Sequence, residues 1–238
     1  MIPASKPGAG FWRLVRRLQH AWVYHLFVKR ALGRTDVTTM FGLRLTVPPS
    51  VFHPKFFRTT RVFGEHLQGM DFKGRLVLEM GCGSGILSLL AARGGATVTA
   101  VDINPAAVAS TLSNARANRL GERITAQVSD LFAEVPPGAR FDYILWNPPF
   151  YPVEPTDNAS HAWNAGAGYG VLARFAHAAA AYLRPGGKVI IQVSTEIDAE
   201  AVLSLFSCAG LQPGLIGLRR LPFETVSMYE FPSGRNGH

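Results

Sequence analysis

From residue 72 onward the chain alternates short, mainly apolar runs with stretches whose apolar positions recur at helical spacing. Residues 76–80, 97–102, 124–129 and 141–146 read as buried strands. Residues 86–93 and 105–119 read as helices, the second opened by Pro105, whose missing N–H costs nothing in a first turn. Residues 172–183 read as a helix stopped by Arg184, Pro185, Gly186 and Gly187, which lead into a strand over 188–194. The tail differs, because residues 215–220 and 226–231 have strand character with no helix between them, which predicts an antiparallel hairpin. Such alternation implies an α/β domain whose parallel sheet is covered on both faces and takes ligands at the carboxyl ends of its strands.

Upstream, Phe11, Leu14, Val15, Leu18, Trp22 and Leu26 fall at helical spacing with basic residues over much of the remaining surface. This predicts one amphipathic helix, or two short ones, over residues 11–32. Phe41, Leu43, Leu45 and Val47 then alternate as in a strand, ending at Pro48 and Pro49. The expected organisation is a basic, helical N-terminal extension with a hairpin over residues 1–50, followed by one larger α/β domain over 51–238.

Composition narrows the class. At 238 residues, 47% hydrophobic and 17% charged, the chain has an ample core for one large domain, which excludes disordered, collagen-like and disulfide-scaffold readings. The two cysteines, Cys82 and Cys208, lie far apart in no metal-ligand spacing, so no metal is expected and a reduced, cytoplasmic compartment is. Residues 1–64 hold eleven Lys/Arg against one acid, while residues 65–238 hold thirteen against fifteen, so the net charge of +8 resides in the N-terminal segment. That charge fits the solvated face of a helix, an RNA-tracking surface, or a substrate lid or weak membrane-surface anchor. Arg13, Arg16, Arg17, Lys29 and Arg30 interrupt the early apolar stretch, leaving neither a transmembrane segment nor a signal-peptide core.

The candidate chemistry sits at strand ends. The first strand of the domain runs into Glu79, Met80, Gly81, Cys82, Gly83, Ser84 and Gly85, and a helix follows at once. Alternate glycines let the backbone turn sharply and approach a ligand, with helix amides aimed at it. The spacing departs from a dinucleotide loop, which wants a glycine where Ile86 stands. Asp102 and Ile103 close the second strand, where a carboxylate can accept both hydrogens of a ribose diol; an N-cap is the alternative. Asp130, followed by Leu131, ends the third and can receive an adenine amine, or sit in a solvated turn. The fourth ends in Asn147, Pro148, Pro149, Phe150 and Tyr151, where prolines that cannot donate leave their carbonyls facing a cleft.

Together these residues resemble the class I S-adenosylmethionine-dependent methyltransferases, from about Phe72 to the C-terminus. The resemblance implies a Rossmann-like, seven-stranded, mostly parallel sheet with a C-terminal antiparallel hairpin. It also implies S-adenosyl-L-methionine as cofactor and S-adenosyl-L-homocysteine as product. The glycine loop would hold the methionine portion, Asp102 the ribose and Asp130 the adenine. Asn147 to Phe150 look like the Asn-Pro-Pro-(Tyr/Phe) motif of enzymes acting on planar nitrogen. There Asn147 and Pro148 would accept the N–H bonds of a conjugated nitrogen and Phe150 would stack on the planar group.

Phe41, Gly42, Leu43, Leu45 and Val47, and then Trp163, Asn164, Ala165, Gly166, Gly168 and Gly170, resemble stretches of the release-factor glutamine N5-methyltransferase family. That resemblance implies a protein glutamine amide as acceptor, met by Phe150, Tyr151, Trp163 and by Thr59 or Thr60. The chain departs from the family between Phe52 and Thr60, where an expected acidic residue is missing. The alternatives are an adenine N6 or guanine N2 amino group in RNA or DNA, reached with the basic N-terminal segment, and a small molecule. The sequence leaves the oligomeric state open.

Overall fold

The computed structural model describes residues 33–149, 151–156, 160–195, 197–222 and 224–233. The amphipathic helix expected over 11–32, and Phe150, lie outside the described residues. No helix among the described residues is long and apolar enough to cross a membrane.

Among the described residues a two-stranded hairpin comes first, β1 (Asp36–Met40) and β2 (Leu43–Val47). The expected strand through Phe41 is corrected here: Phe41 and Gly42 form the turn, with φ of 54° and 74°. Two consecutive positive φ angles match the twist of a two-residue hairpin. The Phe41 ring instead lies over Gly64, where a Cβ would fall 2.4 Å from it, so only glycine permits the contact.

The main sheet contains β3 (Leu76–Met80), β4 (Thr97–Asp102), β5 (Ile124–Val128), β6 (Phe141–Trp146), β7 (Leu183–Ser194), β8 (Gly214–Arg220) and β9 (Thr225–Pro232). Its seven strands run in the order β5-β4-β3-β6-β7-β9-β8. β9 is antiparallel to both of its neighbours, so the terminal hairpin inserts its second strand between β7 and β8. β7 begins earlier than the sequence suggests. Leu183 pairs with Phe141 and Lys188 with Tyr143, so Arg184 to Gly187 are absorbed as a register shift inside the strand.

Among the described residues five α-helices cover the sheet: α1 (Arg58–Leu67), α2 (Ile86–Arg93), α3 (Pro105–Ala117), α4 (Gly170–Ala179) and α5 (Ala199–Cys208). Alternate strand residues feed two cores, as the period of two requires. Val77, Leu145, Ile190 and Met228 pack with α1, α2, α3 and β2. Leu78, Ile144, Trp146 and Ile191 pack with α4 and α5. In the second core an aromatic chain runs from Trp146 to Phe175 (ring centroids 4.1 Å apart), then to Phe206 (6.0 Å) and Phe231 (4.3 Å). It anchors the end of β6 immediately before Asn147.

The hairpin is fastened to the same body. Asn114 of α3 accepts from Thr46 N (2.8 Å) and donates to the carbonyls of Thr46 (3.1 Å) and Ser84 (3.0 Å). A single buried carboxamide thus ties β2 and the glycine loop to α3.

Candidate active site

The carboxyl ends of β3, β4, β5 and β6 open into one cleft. After β3 the backbone turns through Gly81, Gly83 and Gly85 at φ of 62°, 53° and 80°. A Cβ at Gly85 would meet Thr111 Cγ2 at 2.8 Å, so helix α2 starts there only because the residue is glycine. Cys82 N donates to the Val101 carbonyl (3.0 Å), pinning the loop to β4. Cys82 itself is buried. Burial, with the Asp102 and Glu79 carboxylates nearby, pushes its thiol well above the usual range, so it is no nucleophile.

Glu79 is buried at the end of β3 and accepts from both the backbone N (2.8 Å) and the hydroxyl of Ser88. Burial pushes its carboxyl up to about 8; the Ser88 donors oppose the shift and the Asp102 charge adds to it. The folded state therefore holds a proton here that the unfolded chain, near its ordinary 4.5, releases. The contribution to stability is full below pH 4.5 and declines as pH rises toward 8. Thermal unfolding checks this: between pH 5 and pH 8 the wild type is expected to lose several degrees more than Glu79→Gln, whose amide does not titrate. Parallel curves for the two proteins would contradict it.

Asp102 lies at the cleft with both oxygens engaged, accepting from Gly83 N (2.9 Å) and Asn104 N (2.9 Å). Each oxygen keeps a second lone pair for a ligand hydroxyl. Burial raises its carboxyl, opposed by those two N–H groups and by nearby His161. The N-cap of α3 is Asn104, whose side chain accepts from Ala106 N (3.0 Å), which frees Asp102 from that role. Asp130 is held by a residue the sequence did not signal: Arg174 of α4 grips it with two bonds of 2.9 and 3.0 Å. Leu131 beside it sits at φ 52°.

Asn147 follows buried Trp146, and its Oδ1 accepts from Gln192 Nε2 of β7 at 2.7 Å. Thr60 of α1 lines the same cleft, nearly fully buried, with no hydrogen-bond partner for its hydroxyl among the described residues. Phe52 stacks on Phe57 at 4.2 Å, and Trp163 lies 5.8 Å from each. The segment after the motif folds back on itself, Tyr151 N donating to Trp163 O (2.8 Å) and Ala165 N to Tyr151 O (2.7 Å).

The cleft is lined by Glu79, Gly81, Cys82, Gly83, Ser84, Asp102, Ile103, Asp130, Leu131, Asn147, Pro149 and Thr60 among the residues singled out from sequence. Gly85, Pro148, Tyr151, Thr59 and Trp163 do not line it. Phe52, Asn104, His161 and Arg174 line it as well. The aromatic density of residues 52–57 hinted at Phe52, whereas an arginine on a helix face offers no such hint.

Comparison with known proteins agrees with this geometry. The methyltransferase small domain family matches residues 42–207, well over half of the chain. The chain belongs to this family. A putative protein N5-glutamine methyltransferase of Methanocaldococcus jannaschii is 31% identical over 191 residues, covering 78% of this chain and 93% of that protein. The release factor glutamine methyltransferase of Cereibacter sphaeroides is 34% identical over 162 residues, covering 61% of this chain and 57% of its own. Among solved structures, the T. Thermophilus 16S rRNA N2 G1207 methyltransferase in complex with AdoMet and guanosine superposes with a TM-score of 0.58 at 28% identity, over 83% of this chain and 50% of that one. The chain thus spans only about half the length of the last two.

The family's cofactor is S-adenosylmethionine. The residues present fit it: a backbone cradle with three positive-φ glycines, a carboxylate with spare lone pairs at the second strand end, and a buried hydroxyl left over in Thr60.

Proposed function

We propose that the protein methylates a planar, conjugated nitrogen, and that this nitrogen is the side-chain amide of a glutamine in a protein substrate. The observation that carries the reading is Asn147, fixed at the end of β6 by buried Trp146 and Gln192 in the cleft that also holds Asp102 and the glycine loop. Similarity to the Methanocaldococcus and Cereibacter proteins supports glutamine as the acceptor.

When bound, S-adenosylmethionine supplies an electrophilic methyl group on a sulfonium centre. The backbone of Gly81, Cys82, Gly83, Ser84 and Gly85, with Glu79, would hold its methionine portion. Asp102 and Ile103 would hold the ribose, and Asp130, steadied by Arg174, with Leu131 the adenine. An amide nitrogen is a poor nucleophile because its lone pair is conjugated. Asn147 Oδ1 and the carbonyl of Pro148, which stands between the cleft-lining Asn147 and Pro149, would accept its two N–H bonds and leave the lone pair free to attack, and Phe150 is the aromatic residue assigned to the amide plane. Both acceptors stabilise the positive charge that develops, and the surplus proton leaves to solvent after transfer. Orientation and electrostatics suffice without a strong base. Pro149 keeps the turn rigid, and Thr60 in the cleft wall, with Thr59, Tyr151 and Trp163 outside it, would meet the acceptor. In this reading residues 51–238 form the catalytic domain, residues 1–50 an extension, and the protein works in the cytoplasm.

A second reading, methylation of an RNA base amino group, is favoured by the basic N-terminal segment and the likeness to the Thermus enzyme. Incubation with tritiated cofactor and cell extract, followed by digestion, separates the two. Protease is expected to release the label and ribonuclease to leave it in place. Ribonuclease-sensitive label, with transfer falling steeply between low and moderate salt, would favour RNA instead.

A further inference from the structure

We infer that Gln192 is a positioning residue for the reaction, holding the Asn147 amide in the orientation that receives the acceptor; the inference rests on the planar-nitrogen reading above. Gln192 has 0% of its surface exposed and stands in a strand whose neighbours Val189, Ile190, Ile191 and Val193 are all buried hydrophobics. A carboxamide there gives up its water hydrogen bonds and recovers few of them. Its Nε2 donates to Asn147 Oδ1 at 2.7 Å, while its own Oε1 has no partner among the described residues. The contact with Asn147 is therefore what this carboxamide supplies that a leucine or methionine would not. Gln192 does not line the cleft, so it acts through Asn147.

The physical need is specific. An asparagine amide turns about its last side-chain torsion, and its two faces are opposites: one presents an oxygen that accepts, the other an NH2 that donates. An acceptor N–H is attracted by the first and repelled by the second. Gln192 is held on both sides, by the pairing of β7 with β6 and by its own pairing with Met228 of β9. In the arrangement observed its N–H meets the Asn147 oxygen, where an NH2 would be opposed, so the pair holds one relative orientation. One lone pair of Oδ1 is used in this way and the other remains for the acceptor.

The test uses the full-length protein, tritiated S-adenosylmethionine and ribonuclease-treated extract protein, with Asn147→Ala alongside. Gln192→Met, close in volume, is expected to lower the transfer rate at saturating donor by about 10- to 100-fold while the donor KM and dissociation constant stay within about twofold. Gln192→Glu, nearly the same shape, is expected to lose at least as much as Gln192→Met. Its carboxylate accepts from the Asn147 NH2 and so holds the amide turned over, with an N–H in place of the oxygen lone pair that would receive the acceptor. A purely structural role would lower the thermal midpoint and donor binding together rather than the rate at saturating donor. A Gln192→Met rate within twofold of wild type overturns the inference, as does a Gln192→Glu rate within twofold, which decides alone if Gln192→Met does not fold. Transfer by the wild type, its loss in Asn147→Ala and full activity in Gln192→Met would overturn this inference alone. No transfer by the wild type, either to extract protein or to extract RNA left undigested, would overturn the planar-nitrogen reading together with it.

Discussion

Replacing Asn147 by alanine is expected to lower methyl transfer by about 10²- to 10³-fold while donor affinity stays within about twofold. The asymmetry follows from where the side chain spends its hydrogen-bonding capacity. Asn147 lines the cleft and its Oδ1 meets Gln192, whereas the loop and carboxylates proposed to hold the donor keep their own bonds to β4, α2 and α3. Truncation removes one of two acceptors for the substrate N–H and with it the stabilisation of charge that appears only as the methyl moves. Single-turnover rates with tritiated donor, set beside calorimetric donor binding, check both halves. Activity comparable to wild type would refute the role given to Asn147, and a parallel loss of donor affinity would move the residue into donor binding.

The second large effect is expected at Asp102. Changing it to alanine removes the proposed ribose acceptor and also strands two backbone donors, Gly83 N and Asn104 N, that now end on its oxygens. A buried donor left unpaired costs about 1–3 kcal/mol. The loop should therefore loosen as its ligand contact is lost, and donor affinity should fall by about 10²-fold. Asp102→Asn keeps one carbonyl oxygen and should fall between the two. The thermal midpoint of Asp102→Ala should drop by several degrees, at about 2–4 °C per kcal/mol for a chain of this size. Unchanged donor affinity in Asp102→Ala would remove the residue from the ribose site.

What the sequence disclosed follows from the physics of each element. Leu76–Met80, Thr97–Asp102 and Phe141–Trp146 appear at the residues their mainly apolar runs suggest, because central parallel strands are largely buried on both faces. Helix α1 escaped notice because its buried face is built from Thr59, Thr60, Phe63, Gly64 and Leu67, too polar to read as a stripe, and its N-cap, Phe57, makes no side-chain bond. Helix α5 did carry a signal, Asp198 capping Ala201 N at 3.0 Å ahead of Val202 and Phe206 at helical spacing. At the site, Asp102, Asp130 and Asn147 were legible because strand ends in this architecture point at ligands. Arg174 and Gln192 were not, since each matters only through a partner 44 or 45 residues away in sequence. Close to the place where the sequence lacks the expected acid, Thr60 stands in the cleft wall with a hydroxyl that has no hydrogen-bond partner among the described residues.

Calorimetric titration of the wild-type protein with S-adenosylhomocysteine tests the central claim most directly, because every role assigned to a residue of the cleft presupposes that the demethylated cofactor fits there. Saturable binding to one site per chain is the predicted result, weakened in Asp102→Ala and preserved in Asn147→Ala. No measurable heat at any concentration up to about a millimolar dissociation constant would contradict it.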